Sequence, residues 1–248
     1  MAGERHDPTA PRAGDARRLL QRLESLGRAG VSDLPRKRPG GAVAGRPAST
    51  AVGQASAGVP PLDLLRQEVS GCRRCEHLAE SRTQTVFGSG RSDARLCFMG
   101  EAPGADEDAS GMPFMGRAGQ LLTKIIEACT LSRDDVYILN VLKCRPPDNR
   151  APLPQETANC RGFFERQLEI IAPEFICCLG TTAAQALLET DETIGRLRKR
   201  WFSWRTAQVI CTYHPSYLLR NPSAKREVWE DMKLLMERMG LKPQGPPA

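Results

Sequence analysis

From Pro61 onward the large apolar residues fall into two kinds of stretch. Short unbroken runs, Leu96–Met99, Val136–Leu142, Phe175–Leu179 and Gln208–Tyr213, read as buried strands. Between them apolar positions recur at helical spacing. These stretches are Leu62–Val69, Ala118–Thr130 with Leu121, Leu122, Ile125 and Ile126 inward, Gln155–Ile171, Thr181–Glu189 and Lys225–Met239. Thr181 or Thr182 is expected to cap the fourth of these helices through its hydroxyl. Ile194–Trp204 could add a hairpin. Alternating strands and helices predict an α/β protein with four strands in a parallel sheet covered on both faces.

Residues 1–60 lack this patterning. From Val31 to Pro60 the chain is mostly Ala, Gly, Pro and Ser, with too little apolar surface to offset the entropy of ordering, so disorder is expected. One segment, Asp15–Arg28, places Leu19, Leu20, Leu23 and Leu26 on one helical face among arginines, a pattern that suits a transient helix in a tail, docking to a protein partner or a nonspecific DNA contact. An ordered domain over 61–242 and a disordered 243–248 complete the expected organisation.

The chain has 248 residues and a net charge of +6, most of it carried by residues 1–60. The remainder is nearly neutral, so any contact with nucleic acid there must come from local patches rather than bulk charge. No apolar run approaches the roughly 20 residues that span a bilayer, and no signal-peptide core opens the chain. A soluble cytoplasmic, nucleoid-associated protein without membrane contact is expected.

The most distinctive stretch is Leu96–Gln120: a strand, a glycine-rich loop, and a helix that begins near Arg117. Open α/β sheets place ligands at such a junction. It is neither a dinucleotide fingerprint nor a Walker A loop. It offers Phe114, several backbone N–H groups and the carboxylates Asp106, Glu107 and Asp108. A flat hydrogen-bonding base suits that set better than a phosphate, which the carboxylates would repel.

Nine cysteines in an intracellular chain favour metal or core roles over disulfides. Cys72 and Cys75 form a C-x2-C pair after a helix, Cys144 follows a strand, and Cys160 opens the next helix. These four can converge on one metal site, with zinc and a [4Fe–4S] cluster both accepting four thiolates. Cys97, Cys129, Cys177, Cys178 and Cys211 lie inside apolar runs and read as small buried hydrophobes.

Three polar residues stand at predicted C-terminal strand ends: Glu101, Asn140 and His214. In a parallel sheet those ends share one rim. Asn140 can match the O4 and N3–H edge of uracil and mismatch cytosine. His214 can donate to an oxygen gaining negative charge, and Glu101 can activate water or stabilise a cationic sugar. Beyond His214, Tyr217, Leu218, Leu219 and Arg220 form a candidate wedge into a base stack, with both leucines taken as exposed. Arg198, Lys199 and Arg200, among Trp201, Phe202 and Trp204, form a candidate phosphate patch.

Together these residues resemble the family 4 uracil-DNA glycosylases, the iron–sulfur branch of the uracil-DNA glycosylase superfamily. The resemblance rests on Gly100-Glu101-Ala102-Pro103-Gly104, on Pro113–Gly119, on Asn140–Pro147, on His214–Arg220, and on the cysteine pattern. It covers about residues 62–240. It implies a three-layer α/β/α sandwich around a four-stranded parallel sheet, and a structural [4Fe–4S] cluster on Cys72, Cys75, Cys144 and Cys160. It implies excision of uracil from single- or double-stranded DNA, leaving an abasic site; a monomer is expected. By motif position, Gly100, Glu101 and Ala102 line the uracil, Phe114 stacks on it, Asn140 reads its edge and His214 contacts O2. Glu107 falls where the family is thought to crowd C5 and discourage thymine.

The best-known branch of that superfamily has Gly-Gln-Asp-Pro-Tyr where this chain has Ala102 and Gly104 in the Asp and Tyr positions, so water activation shifts to Glu101 or is dispensed with. The cross-linking branch has a nucleophilic histidine in the loop that is here Pro146–Pro154, which contains none. A glycosylase is therefore expected. The alternative is a noncatalytic iron–sulfur nucleic-acid-binding subunit of a replication or repair complex.

Overall fold

In β2 (Leu96–Gly100) the side chains part to opposite faces with the two-residue period of a strand. Cys97 and Met99 enter one apolar core, and Leu96 and Phe98 enter another. The computed structural model, which describes residues 60–242, repeats this division in every central strand.

The order of elements begins with α1 (Pro61–Ser70), α2 (Glu76–Ser81), β1 (Ser89–Gly90) and β2. Then come α3 (Ala105–Ser110), α4 (Arg117–Ala128), β3 (Tyr137–Asn140), α5 (Pro154–Ile171), β4 (Phe175–Leu179) and α6 (Thr181–Leu188). The chain closes with α7 (Ile194–Leu197), β5 (Trp201–Trp204), β6 (Ala207–Thr212), α8 (Pro215–Arg220) and α9 (Lys225–Met239).

The sheet runs β1-β3-β2-β4-β6-β5. Its four central strands are mutually parallel, as expected, and β1 and β5 add antiparallel edges. The first core holds Leu65, Val69, Phe163, Phe164, Ala183 and Leu187, from α1, α5 and α6. The second holds Leu122, Ile126, Leu218, Val228, Met232 and Leu235, from α4, α8 and α9. This is a three-layer α/β/α arrangement. The hairpin expected over Ile194–Trp204 is in part a helix: Ile194–Leu197 forms α7, and Trp201–Trp204 pairs with β6. No helix among the described residues is long and apolar enough to cross a membrane.

The tail, its 15–28 segment and residues 243–248 lie outside the described residues.

Candidate active site

The register of the sheet builds the site. Gly100 at the end of β2 pairs with Asn140 at the end of β3. His214 follows β6 and caps α8, its ring nitrogen accepting from the Ser216 N–H at 3.2 Å. Strand direction thus carries three residues from distant parts of the chain to one rim, where Glu101, Asn140, His214 and Phe114 line a single cavity of about 270 Å³. Ala102, Glu107 and Arg220 also line it.

Gly100 lies just behind. A Cβ there would stand 2.4 Å from Asn140 Oδ1 and 2.5 Å from Phe114 Cζ, so only glycine fits. Asn140 is buried, and its Oδ1 has no hydrogen-bond partner. Buried acceptors are rarely left unpaired, and because Asn140 lines the cavity a ligand donor is the natural match for this one. Its main-chain oxygen accepts from the fully buried Lys143 ammonium at 2.8 Å.

Phe114 is buried at φ +57°, a left-handed conformation that costs a bulky residue energy. Arg133 holds it there, donating to the carbonyls of Pro113 at 2.9 Å and Phe114 at 3.3 Å. The ring centroid lies 5.6 Å from that of His214. Burial, with help from the Arg220 guanidinium and opposed by Glu107, pushes the His214 imidazole down to about 4. The ring is therefore neutral near pH 7. Because Nδ1 accepts from Ser216, the proton sits on Nε2.

The acidic run proves to be the first turn of α3, where carboxylates suit the helix N-terminus. Both Glu107 oxygens are engaged: Oε2 accepts from the Gly104 N–H, and Oε1 from the Met115 and Gly116 N–H groups. Glu107 thus staples the loop as well as lining the cavity. Glu101 is held differently. Its Oε2 accepts from the Thr182 hydroxyl at 2.5 Å, and among the described residues no hydrogen bond is made to its Oε1.

Not every expected contact residue faces the site. Leu218 is buried in the second core, so the wedge with two exposed leucines is corrected to one, Leu219. Tyr217 is exposed and packs on Tyr213 with centroids 4.9 Å apart. Arg198 is turned inward: it bonds the buried Asp231 at 2.7 Å and lies over the Tyr213 ring. It is thus withdrawn from phosphate. Lys199 and Arg200 are exposed, Arg200 paired with Glu192 at 3.1 Å, and neither lines the cavity.

Several lining residues were not read from the sequence: Pro146, Asn149, Arg150 and Ser216. The loop that carries the first three is clasped by buried Glu156, which takes two hydrogen bonds from Arg150 and one contact from His77 at 2.6 Å. His77 lies 79 residues from Glu156, too far for spacing to signal the clasp, and the six-residue separation of Arg150 and Glu156 matches no helical or strand period.

Cys72, Cys75, Cys144 and Cys160 all pack against the first core. N–H donors surround them. Arg82 donates to Cys144 Sγ at 2.8 Å, Asn159 to Cys75 Sγ at 3.3 Å, and the Arg74 N–H to Cys72 Sγ at 3.5 Å. Burial pushes the Cys144 thiol up, Arg82 pulls it down, and nearby Cys72 and Cys75 push it up again. Four neighbouring sulfurs ringed by donors fit a group bound through thiolates. Among the described residues, no three His, Cys, Asp or Glu side chains stand close enough to grip one metal ion. The other five cysteines are buried, as expected of core residues.

A family model described as the uracil DNA glycosylase superfamily matches residues 87–233. The chain is similar to a type-4 uracil-DNA glycosylase of Archaeoglobus fulgidus, 42% identical over 73% of this chain and 94% of that protein. It is 44% identical to one of Thermotoga maritima over 69% of this chain and 91% of that protein. It is 40% identical to one of Saccharolobus solfataricus over 73% and 88%.

Proposed function

Since the chain belongs to the uracil DNA glycosylase superfamily and is a uracil-DNA glycosylase, we propose that the rim cavity is where uracil is bound and cut from DNA. The enzyme is a DNA-repair hydrolase of N-glycosyl bonds, which sets aside a noncatalytic subunit. The observation that carries the site assignment is the unpaired, buried Asn140 Oδ1.

The target nucleotide rotates out of the stack at a cost of a few kcal/mol. Its ring lies against Phe114. Asn140 Oδ1 accepts from N3–H, and its amide donates to O4. Cytosine presents the reverse pattern and leaves both groups unmatched. The C1′–N1 bond then breaks, leaving a cationic sugar and a uracil anion. The neutral His214 donates its Nε2–H to O2 of that anion, where charge develops. Water adds at C1′, and Glu101 Oε1 takes its proton or faces the sugar cation. Glu107 cannot share that work, because three backbone N–H groups occupy its oxygens.

Arg220, which lines the cavity, and the exposed Tyr217 and Leu219 of the same short helix are the residues to meet DNA, Leu219 as the wedge. Cys72, Cys75, Cys144 and Cys160 are the residues to hold a [4Fe–4S] cluster. Support comes from the four thiols' shared packing on the first core, from the donors to their sulfurs, and from the resemblance to the iron–sulfur branch. The cluster would supply a structural clasp, tying the segment 72–75 and the loop 145–153 to the sheet. The reading describes a monomer working on DNA in the cytoplasm.

Incubation with a labelled oligonucleotide containing one uracil, followed by alkali, tests the site. Wild-type enzyme is expected to give a break at the uracil, and Asn140→Ala to lose about 100-fold or more in rate. An unimpaired Asn140→Ala enzyme would move the chemistry away from this rim.

A further inference from the structure

The turn between β4 and α6 contributes nothing to the lining of the cavity, yet it touches both groups assigned to the chemistry. Gly180 begins α6 at φ +90°, and a Cβ added to it would stand 3.0 Å from His214 Cβ. Its N–H donates to Thr212 O at 2.8 Å, which ties the turn to the end of β6, two residues before His214. Two residues on, the Thr182 hydroxyl donates to Glu101 Oε2 at 2.5 Å. The threonine pair expected to cap α6 does not do so: the cap position is Gly180, and no side chain accepts there. A hydroxyl in the first helical turn has therefore been turned outward, to the carboxylate that follows β2.

We propose that Gly180–Thr182 is a positioning brace that sets the spacing between Glu101 and His214, with Thr182 a positioning residue acting through Glu101. Thr182 fixes one carboxylate oxygen and so aims the other into the cavity. Gly180 supplies the close approach that lets β6 and its histidine sit beside the same turn. The proposal rests on the assignment of Glu101 to the cavity chemistry.

The test measures kcat and KM from multiple-turnover kinetics of the full-length, cluster-bearing enzyme on a uracil-containing duplex, with the single-turnover rate confirming that the chemical step is what changes. Thr182→Val keeps the shape and removes the donor. It is expected to lower kcat about tenfold, the effect of one hydrogen bond to a charged group, with KM little changed. Thr182→Ser restores the donor and is expected to return kcat to within about threefold of wild type. In a Glu101→Gln background, Thr182→Val is expected to cost nothing further, because its only route to the reaction is gone. Thermal midpoint and absorbance near 400 nm report whether each variant is folded. Should Thr182→Val not fold, Thr182→Ala against Thr182→Ser makes the same comparison. Gly180→Ala is the second arm, expected to lower kcat by displacing His214.

Full kcat in Thr182→Val, or losses from Thr182→Val and Glu101→Gln that simply multiply, would overturn the brace. A Glu101→Gln enzyme at full rate would overturn the role of Glu101 and the brace with it. A slow Glu101→Gln enzyme beside an unimpaired Thr182→Val enzyme would sink the brace alone.

Discussion

Gly100 and Asn140 are register partners on adjacent parallel strands, and the space a Cβ would take at Gly100 is filled by Asn140 Oδ1 at 2.4 Å and the Phe114 ring at 2.5 Å. The backbone of one strand is thus the back wall behind the amide and the ring to which base selection is assigned above. Gly100→Ala must move one of them. The expected outcome is a loss of about 100-fold in kcat/KM, the scale set by a misplacement of about 1 Å. Thermal denaturation beside the kinetics checks this; a folded Gly100→Ala enzyme with normal kcat/KM would show that the two groups can shift without consequence.

Arg198 belongs to stability rather than to DNA contact. Its guanidinium bonds Asp231, which also accepts from Thr212 at 2.6 Å and is fully buried. Arg198→Ala strands that carboxylate and is expected to cost about 3 kcal/mol or more of folding stability. The salt dependence of DNA binding should hardly change, whereas Arg220→Ala should flatten it. Urea unfolding and binding across a salt series separate the two.

The contrast between Arg198 and Arg220 shows where sequence reading reached its end. The strands β2 and β4 were legible because unbroken apolar runs such as Phe175–Leu179 have no other way to be buried on both faces. The rim residues Glu101, Asn140 and His214 were legible because parallel strands must bring their ends together. The helix α3 was not, since Asp106, Glu107 and Asp108 carry no apolar stripe and its order comes from contacts such as Asp108 with the Thr83 N–H. The direction of Arg198 was hidden too, for its partner Asp231 lies on the last helix. The same limit concealed Thr182: a threonine at a helix start is ordinarily a cap, and only the fold brings Glu101 within its reach.

The cysteines divide by environment. Cys144→Ala is expected to remove absorbance near 400 nm, lower bound iron and destabilise the loop 145–153. Cys129→Ala, at a buried position where burial pushes the thiol up to about 12, should keep its iron and lose only packing, about 1 kcal/mol. Iron analysis with thermal denaturation distinguishes them. A colourless wild-type protein carrying zinc would contradict the cluster.

His214 sets a pH dependence of definite sign. In the unfolded chain the ring takes its proton near the ordinary value of about 6.5, whereas in the folded enzyme it waits until about 4. Between these values the unfolded state binds more protons than the native one. Stability carried by this group is therefore complete above about 6.5, falls as the pH drops toward 4, and levels off below. A His214→Gln variant should lack that part of the slope, as urea midpoints from pH 7 to 4 will show. The rate should also show no inflection near 6.5 from His214, because its ring is neutral throughout that range.

The claim on which the rest depends is that Asn140 Oδ1 waits for the N3–H of a uracil turned out of DNA. The most direct measurement is the single-turnover rate on two oligonucleotides that differ by one methyl group, one with uracil and one with N3-methyluracil. The wild-type enzyme is expected to cleave the first and to leave the second uncut, since the methyl removes the donor and cannot fit against a buried oxygen. Equal rates on both would contradict it.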